Sequence, residues 1–287
     1  MFDFFNQLNA SPSLLYSSTI ILGLLIGSFL NVVIYRLPKM LEQDWKEQCS
    51  LLLEQTPPVN EKLTLSSPNS SCPTCQHAIK PWENIPVISY IFLQGRCSQC
   101  KSKISVRYPI IELATAILSL VTILYLGASL AGLFALFMTW TLISLTMIDA
   151  DTQLLPDNMT LPLMWLGLIL NTFNVFTSLE SALWGAIFGY LSLWSIYQAF
   201  KLLTGKEGMG FGDFKLLAAL GAWFGWQLLP IIILVSSVVG ALFGIAMIII
   251  KGRDKNIPMP FGPFLAIAGW ITLIWGHQLQ HFWLSSV

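Results

Sequence analysis

Residues 214–250 read FKLLAALGAWFGWQLLPIIILVSSVVGALFGIAMIII, and this stretch decides the fold class of the chain. Only one of its 37 residues, Lys215, is charged, and basic residues border both of its ends. A single helix of that length would be about 55 Å long, far more than the bilayer core needs. Because basic flanks stay in the cytoplasm, the stretch is predicted to cross twice, as two short or tilted helices that turn near Trp226 to Pro230.

Six further apolar segments accompany this stretch. Each has the length and composition of a membrane-spanning helix, and they cover residues 13–35, 108–126, 128–148, 159–176, 181–203 and 261–283. The middle four are predicted to form two hairpins, which turn near Gly127 and Glu180. Hydrophobic residues make up 55% of the 287 residues and charged residues only 10%, unlike a soluble domain. The predicted fold is an all-α polytopic membrane protein with about eight transmembrane helices.

The positions of the positive charges predict the orientation. All fifteen Lys and Arg residues fall within residues 36–107, 201–215 and 251–255. The positive-inside rule puts these three segments in the cytoplasm and the N-terminus in the periplasm. The formal net charge is zero and no basic stripe is interleaved with aromatic residues. We therefore expect contact with a lipid bilayer and none with nucleic acid.

Three domains follow from this pattern. Residues 1–35 are predicted to hold the periplasmic N-terminus and the first transmembrane helix, in which Gly23 and Gly27 would let another helix approach closely. Residues 36–107 are predicted to form a small cytoplasmic domain, and residues 108–287 the transmembrane domain. Residues 41–71 carry no recognisable motif, and their role is left open.

Two CxxC pairs predict a metal site in the cytoplasmic domain. The pairs are separated by 21 residues, and their members are Cys72, Cys75, Cys97 and Cys100. This spacing is typical of a structural zinc site, in which four thiolates close the coordination shell and staple a domain with little core. Disulfides or free thiols are the alternative, but thiols stay reduced in the cytoplasm. His77 could replace a ligand, although four cysteines make a surface histidine the favoured reading.

Five carboxylates lie inside or at the edge of the predicted membrane segments: Glu112, Asp149, Asp151, Asp157 and Asp213. A charged side chain at such a depth in the membrane is energetically unfavourable, so these acids indicate a functional site. Asp149 ends one predicted span and Asp213 begins another, both on the cytoplasmic side. Two acids at one depth can serve aspartyl proteolysis, because one takes a proton from water while the other donates one to the scissile carbonyl.

The helix macrodipole suggests separate roles for the two acids. Asp149 would meet the negative C-terminal end of its helix, and Asp213 the positive N-terminal end of its helix. We therefore expect Asp213 to be the base and Asp149 the protonated acid. Three glycines, Gly208, Gly210 and Gly212, would leave open backbone beside Asp213 for an extended substrate.

Purely structural roles are the alternative for these acids. Asp213 could be a helix N-cap and Asp149 an interfacial residue. Asp157, which precedes Asn158, is predicted to be a cap. Asp151 lies two residues from Asp149, so on a helix it would point elsewhere and face water.

Several ordered motifs resemble those of the type IV prepilin peptidases, which belong to the GxGD group of intramembrane aspartyl proteases. They are GSFLNVVIYRLP at residues 27–38, the paired CxxC motifs, RYPIIE at 107–112, IDAD at 148–151 and GFGD at 210–213. The resemblance covers nearly the whole chain. Any one of these motifs would be weak evidence, but their order is specific.

The resemblance implies a bifunctional enzyme of the bacterial inner membrane. Such enzymes cut the leader peptide of type IV prepilins and type II secretion pseudopilins on the cytoplasmic side. They then N-methylate the new N-terminal residue with S-adenosylmethionine. Asp149 and Asp213 match the protease aspartates, and the four cysteines match the cytoplasmic tetracysteine motif. The cofactor site is unknown, with Gly95, Arg96 and Glu112 as candidates.

Two other classes of protein compete with this interpretation. A proton-coupled transporter would use buried acids to relay charge and glycine breaks to bind substrate, but it would need a sealed membrane and a gradient. A membrane scaffold that zinc stabilises would catalyse no reaction. The loss of Asp149 or Asp213 would then have no effect on its function.

Overall fold

The computed structural model describes residues 2–56, 63–206, 208–251 and 259–285, and all regular elements named in these residues are helices. This confirms the prediction of an all-α protein for the described part of the chain. The chain divides into two compact units, Met1–Ser129 and Leu130–Val287.

The first unit is built on a close pair of helices. The α-helices in its described residues are α1 (Phe2–Asn9), α2 (Pro12–Leu52), α3 (Ile88–Phe92) and α4 (Arg107–Leu126). A Cβ atom on Gly23 would lie 2.7 Å from Cα of Ala116, and one on Gly27 would lie 2.7 Å from Cα of Glu112. Only glycine permits this approach, so the predicted close packing at these two positions is confirmed.

Helix α2 is much longer than the predicted first span. It continues beyond residue 35 to Leu52, with Pro38 inside it. Arg36 is only 8% exposed, and its guanidinium donates hydrogen bonds to the backbone oxygens of Thr64 (2.9 Å) and Pro68 (2.7 Å). The helix therefore continues into the polar sequence that begins at Arg36. The side chain of Arg36 holds the loop at residues 64–68 against the helix. The boundary between membrane and water near this residue stays a prediction.

The described residues of the second unit form six α-helices. They are α5 (Leu130–Thr152), α6 (Asp157–Asn171), α7 (Leu179–Thr204), α8 (Phe211–Phe224), α9 (Leu229–Lys251) and α10 (Gly262–Ser285). A 3-10 turn, Trp226–Leu228, separates α8 from α9. This confirms the predicted turn within residues 214–250. The predicted turn near Glu180 comes slightly earlier, because Ser178 caps α7 by accepting a hydrogen bond from the backbone of Ser181.

Helix α8 lies in the core of this unit. Every residue from Leu216 to Phe224 is buried. Gly185 and Gly189 of α7 pack directly on its backbone: a Cβ on Gly189 would lie 2.6 Å from the Leu217 carbonyl oxygen. The pair forms a GxxxG pattern that favours close helix packing. The side chain of Asn171 adds hydrogen bonds to the carbonyl oxygens of Ala222 (2.8 Å) and Trp223 (3.1 Å).

The predicted count of eight spans is not confirmed. Among the described residues, four helical segments are long and apolar enough to cross a membrane: Pro12–Leu52, Arg107–Leu126, Leu130–Thr152 and Trp226–Ile250. Gly262–Gly276 is a shorter apolar helix. Helix α8 has 14 residues, about 21 Å of helix, which is less than the thickness of a bilayer core. Its burial within protein removes the need to match that thickness.

Candidate active site and metal centre

Asp149 and Asp213 come together in the second unit. Asp149 lies in the last turn of α5 and Asp213 in the first turn of α8, and they are only 5% and 6% exposed. The two carboxyl groups interact electrostatically. The fold thus brings together two buried acids that are distant in sequence.

Leu155 lies between the two acidic segments. A Cβ on Gly212, next to Asp213, would be 2.6 Å from Leu155 Cβ. A Cβ on Gly262 would be 3.1 Å from both methyl carbons of Leu155 and 2.6 Å from Asp149 Oδ2. The backbone therefore packs closely against Leu155 both at residue 212 and at residue 262. Sequence reasoning missed Leu155 and Gly262, although the glycine in PFGP at residues 260–263 was a possible signal.

The two carboxyl groups differ in their hydrogen bonds. Asp149 Oδ2 accepts a buried hydrogen bond of 3.0 Å from the backbone N–H of Gly262. In contrast, Asp213 Oδ1 is buried without a hydrogen-bond partner among the described residues. A buried polar atom without a partner is uncommon and is often found at a site of chemistry. The pair is therefore asymmetric.

The neighbouring acids have other surroundings. Asp157 is not the predicted cap, because Pro156 occupies the N-cap position of α6. The Asp157 carboxylate instead accepts hydrogen bonds from Lys215 Nζ, with both N–O distances 2.7 Å. Asp151 is exposed, as expected.

The glycines before Asp213 serve different purposes. Gly210 is the N-cap of α8, which leaves Asp213 at the third helical position and not at the cap. The closest group to a Cβ on Gly210 would be Asp213 Oδ2 at 3.8 Å, so this backbone is open. Gly208 packs against the ring of Phe200, and Gly212 against Leu155. Only Gly210 therefore has the open surroundings expected for all three.

The four predicted cysteine ligands form a compact cluster in the first unit. Their Sγ atoms all lie within 4.8 Å of one another. Cys72 and Cys100 are 3.7 Å apart and Cys75 and Cys97 are 4.0 Å apart, measured between sulfurs. Four thiolates about 2.3 Å from one zinc ion would have sulfurs about 3.8 Å apart. The cluster has the number, type and spacing of ligands for a tetrahedral metal ion.

The pKa values of the cysteine thiols also favour a bound cation. The backbone of Cys75 and the hydroxyl of Ser102 lower the pKa of Cys72 to about 5. The His77 backbone lowers the pKa of Cys75, but burial and the neighbouring cysteine sulfurs outweigh it and raise the value to about 11. Without a cation the four thiols do not all ionise, because nearby negative charges disfavour one another.

Two further residues, His77 and Cys49, lie outside the cluster. His77 Nε2 lies 3.2 Å from Glu83 Oε2, so its ring has a partner other than the cysteines. Cys49 is exposed on α2 and does not belong to the cluster.

The three candidates for the cofactor site have different surroundings. Glu112 is buried, and its Oε2 accepts a hydrogen bond of 2.7 Å from the backbone N–H of Val87. Gly95 has φ +65° and packs under the ring of Tyr90, whereas Arg96 is exposed. No hydrogen bond or ion pair joins Arg96 to Glu112 in the described residues. Glu112 therefore acts as an anchor between α4 and the segment that leads into α3.

Two family models match the chain in succession. Residues 21–126 match the bacterial peptidase A24 N-terminal domain, and residues 136–245 match the type IV leader peptidase family. The chain belongs to the type IV leader peptidase family.

Several curated relatives carry the name prepilin leader peptidase/N-methyltransferase. The protein from Pseudomonas aeruginosa is 54% identical over 98% of this chain and 97% of its own length. The protein from Stutzerimonas stutzeri is 53% identical over 97% and 96%. The protein from Legionella pneumophila is 46% identical over 96% of both chains. No solved structure matches the chain.

Proposed function

We propose that this protein is a membrane-embedded aspartyl endopeptidase. It removes the leader peptide of type IV prepilins and type II secretion pseudopilins, and N-methylates the new N-terminal residue with S-adenosylmethionine. The observation that carries the protease activity is the pair of buried carboxyl groups, Asp149 and Asp213, on two helices of one unit. The name shared by relatives that match over nearly the full length supports both activities.

The paired acids provide the chemistry that peptide hydrolysis needs. One carboxylate takes a proton from a water molecule as the water attacks the scissile carbonyl carbon. The other carboxyl group donates its proton to the carbonyl oxygen, which carries the developing negative charge. Burial strengthens such electrostatic effects because water no longer screens them. Two close acids that share one proton meet both requirements.

The protein is a multi-pass protein of the inner membrane, in agreement with its apolar helices and its family. We propose that its N-terminus is periplasmic and that the aspartates face the cytoplasm. The basic residues in segments 36–107 and 201–215 support this orientation. The substrates would then be cut where their leaders emerge from the bilayer into the cytoplasm.

The four cysteines are proposed to hold a structural zinc ion. Cys72, Cys75, Cys97 and Cys100 would fill all four positions of a tetrahedral zinc ion, so none remains for water or substrate. Zinc would therefore stabilise the surrounding loops and take no part in hydrolysis.

The methyl-donor site is proposed to include Arg96 and Gly95, which lie beside the second cysteine pair. Arg96 is exposed and able to contact a ligand, whereas the carboxylate of Glu112 is already bound to Val87. Arg96→Ala is expected to weaken photo-crosslinking of labelled S-adenosylmethionine. Lys103→Ala, which removes a nearby exposed charge, is the matched control. Equal labelling of both variants would remove Arg96 from the site.

Cleavage of a purified prepilin in detergent tests the protease assignment. Wild-type protein is expected to release the leader, and a methyl group should be added when S-adenosylmethionine is present. Asp149→Asn and Asp213→Asn should each lower kcat by about 10²-fold or more, because each removes general acid–base catalysis. Mass spectrometry of the products separates cleavage from methylation.

Asp151→Asn is the matched control, because it makes the same change at an exposed residue of the same helix as Asp149. It is expected to cut at close to the wild-type rate. If Asp149→Asn and Asp213→Asn also cut normally, the two acids are structural. Activity that appeared only in sealed vesicles with a proton gradient would instead favour a transporter.

A further inference from the structure

The carboxyl group of Asp149 lies at the start of a second helix. Its own helix, α5, ends at Thr152 and presents carbonyl oxygens there. However, Asp149 Oδ2 accepts the N–H of Gly262, the first residue of the 24-residue helix α10. Such an N–H has no partner within its own helix and carries the positive end of the macrodipole. The contact therefore favours a negative charge on Asp149.

Glycine is required at this contact. Any Cβ atom at residue 262 would lie 2.6 Å from Asp149 Oδ2, closer than real Cβ contacts allow. A side chain there would push the carboxyl group away from the N–H or displace the start of α10. The absence of a side chain at Gly262 is thus part of how Asp149 is held.

The Asp213 carboxyl group interacts with the backbone of Gly210 at the start of α8, but this support does not reach both of its oxygens. Its Oδ1 is buried and has no hydrogen-bond partner in the part of the chain that the structure describes. A charged oxygen in that position is unfavourable, whereas a protonated carboxyl group avoids this penalty and can donate to a substrate oxygen. Both acids lie near helix N-termini and interact with backbone there. The difference between them is the buried Oδ1 of Asp213, which has no partner among the described residues.

We propose that Gly262 is a positioning residue whose backbone N–H holds Asp149 as the ionised base, while Asp213 carries the proton. This inference rests on the proposed protease function. It reverses the roles that the macrodipoles of α5 and α8 alone predict, because the tertiary structure brings the start of α10 to Asp149.

The proposed roles give a balanced reaction. The Asp149 carboxylate takes a proton from water, the water oxygen bonds to the scissile carbonyl carbon, and Asp213 donates its proton to the carbonyl oxygen. The resulting gem-diol then collapses as the carbon–nitrogen bond breaks. Asp149 donates its proton to the leaving nitrogen, and Asp213 takes one from a gem-diol hydroxyl. Both acids return to their starting states.

Infrared difference spectroscopy of the substrate-free enzyme in nanodiscs at neutral pH tests which acid is protonated. The spectrum of wild type minus Asp213→Asn is expected to contain the C=O stretching band of a protonated carboxyl group. The spectrum of wild type minus Asp149→Asn should contain carboxylate bands instead. If the protonated band is lost in Asp149→Asn, the proposed roles are wrong.

A backbone ester at residue 262 tests the N–H itself. Cell-free synthesis with glycolic acid replaces this N–H by oxygen without adding a side chain. We expect kcat to fall roughly 10- to 100-fold with an unchanged KM, because a hydrogen bond to a charged group is lost. The same ester at Gly276, inside α10, controls for the general effect of the modification.

Gly262→Ala is expected to lower kcat at least as much, with Gly276→Ala as its control. A Cβ at residue 276 would meet only side-chain atoms, at 3.3 Å and 3.4 Å. If the residue 262 ester keeps wild-type kcat while Asp149→Asn and Asp213→Asn are inactive, the role of Gly262 is wrong and the protease function stands. If both Asn variants still cut, the protease function itself is wrong.

Discussion

The cysteine cluster of the first unit and the aspartate pair of the second unit bring polar atoms together in different ways. The four sulfurs all lie within 4.8 Å of one another and could together surround one metal ion. The two carboxyl groups are unequal: one oxygen of Asp149 is bound by Gly262, and one oxygen of Asp213 has no partner among the described residues. A closed set of ligands suits a structural ion, whereas an incomplete set leaves a place for substrate or water.

The two sites also differ in how they are supported. Each cysteine pair lies within a short turn of its own, in which the backbone N–H of Gln76 bonds to Cys72 O and that of Lys101 to Cys97 O. The aspartates instead depend on the packing of α5, α8 and α10 around Leu155. Changes far from the aspartates in sequence are therefore expected to affect the protease site more than the metal site.

The largest effect is expected from the loss of one cysteine ligand. Cys72→Ser should abolish binding of the proposed zinc ion and unfold the surrounding loops, because structural zinc contributes about 10–16 kcal/mol to such sites. Metal content per protein and limited proteolysis of residues 63–106 would measure this. Cys49→Ser makes the same change at an exposed cysteine outside the cluster and should retain zinc. Full zinc content in Cys72→Ser would contradict the metal site.

A smaller effect is expected at Leu155, which is 7% exposed. Leu155→Ala should destabilise the protein by about 2–5 kcal/mol, as large-to-small changes in cores do. It should also lower kcat, because the segments that carry both aspartates lose their shared contact. Thermal unfolding in detergent and cleavage assays would measure the two effects, with the less buried neighbour changed in Leu154→Ala as the control. Unchanged kcat would show that Leu155 does not position the acids.

The smallest effect is expected at the ion pair between Lys215 and Asp157. Their side chains are 28% and 56% exposed, so the pair should contribute no more than about 1 kcal/mol. Lys215→Ala should therefore change kcat/KM by less than about fivefold, and a double-mutant cycle with Asp157→Ala would give the coupling. Lys206→Ala controls for the loss of a nearby positive charge. Inactivity as complete as that of Asp213→Asn would place Lys215 in the catalytic machinery.

Much of the site could be predicted from the sequence because its motifs are local. The CxxC spacing indicated four metal ligands, and membrane-edge acids indicated Asp149 and Asp213. The count of spans was less predictable, since hydropathy does not distinguish a lipid-facing helix from one buried in protein, such as α8. The length of α2 was missed because a helix can continue into water after it leaves an apolar segment.

The sequence by itself indicated the helical class, the cysteine cluster and the two acids that the fold brings together. These depend on periodicity, composition and short spacing, which are properties of neighbouring residues. Only the tertiary structure decided the partners of each acid: Gly262 lies 113 residues from Asp149 and yet provides its hydrogen bond. The charge on a buried carboxyl group depends on the groups that pack around it, and these come from distant parts of the chain.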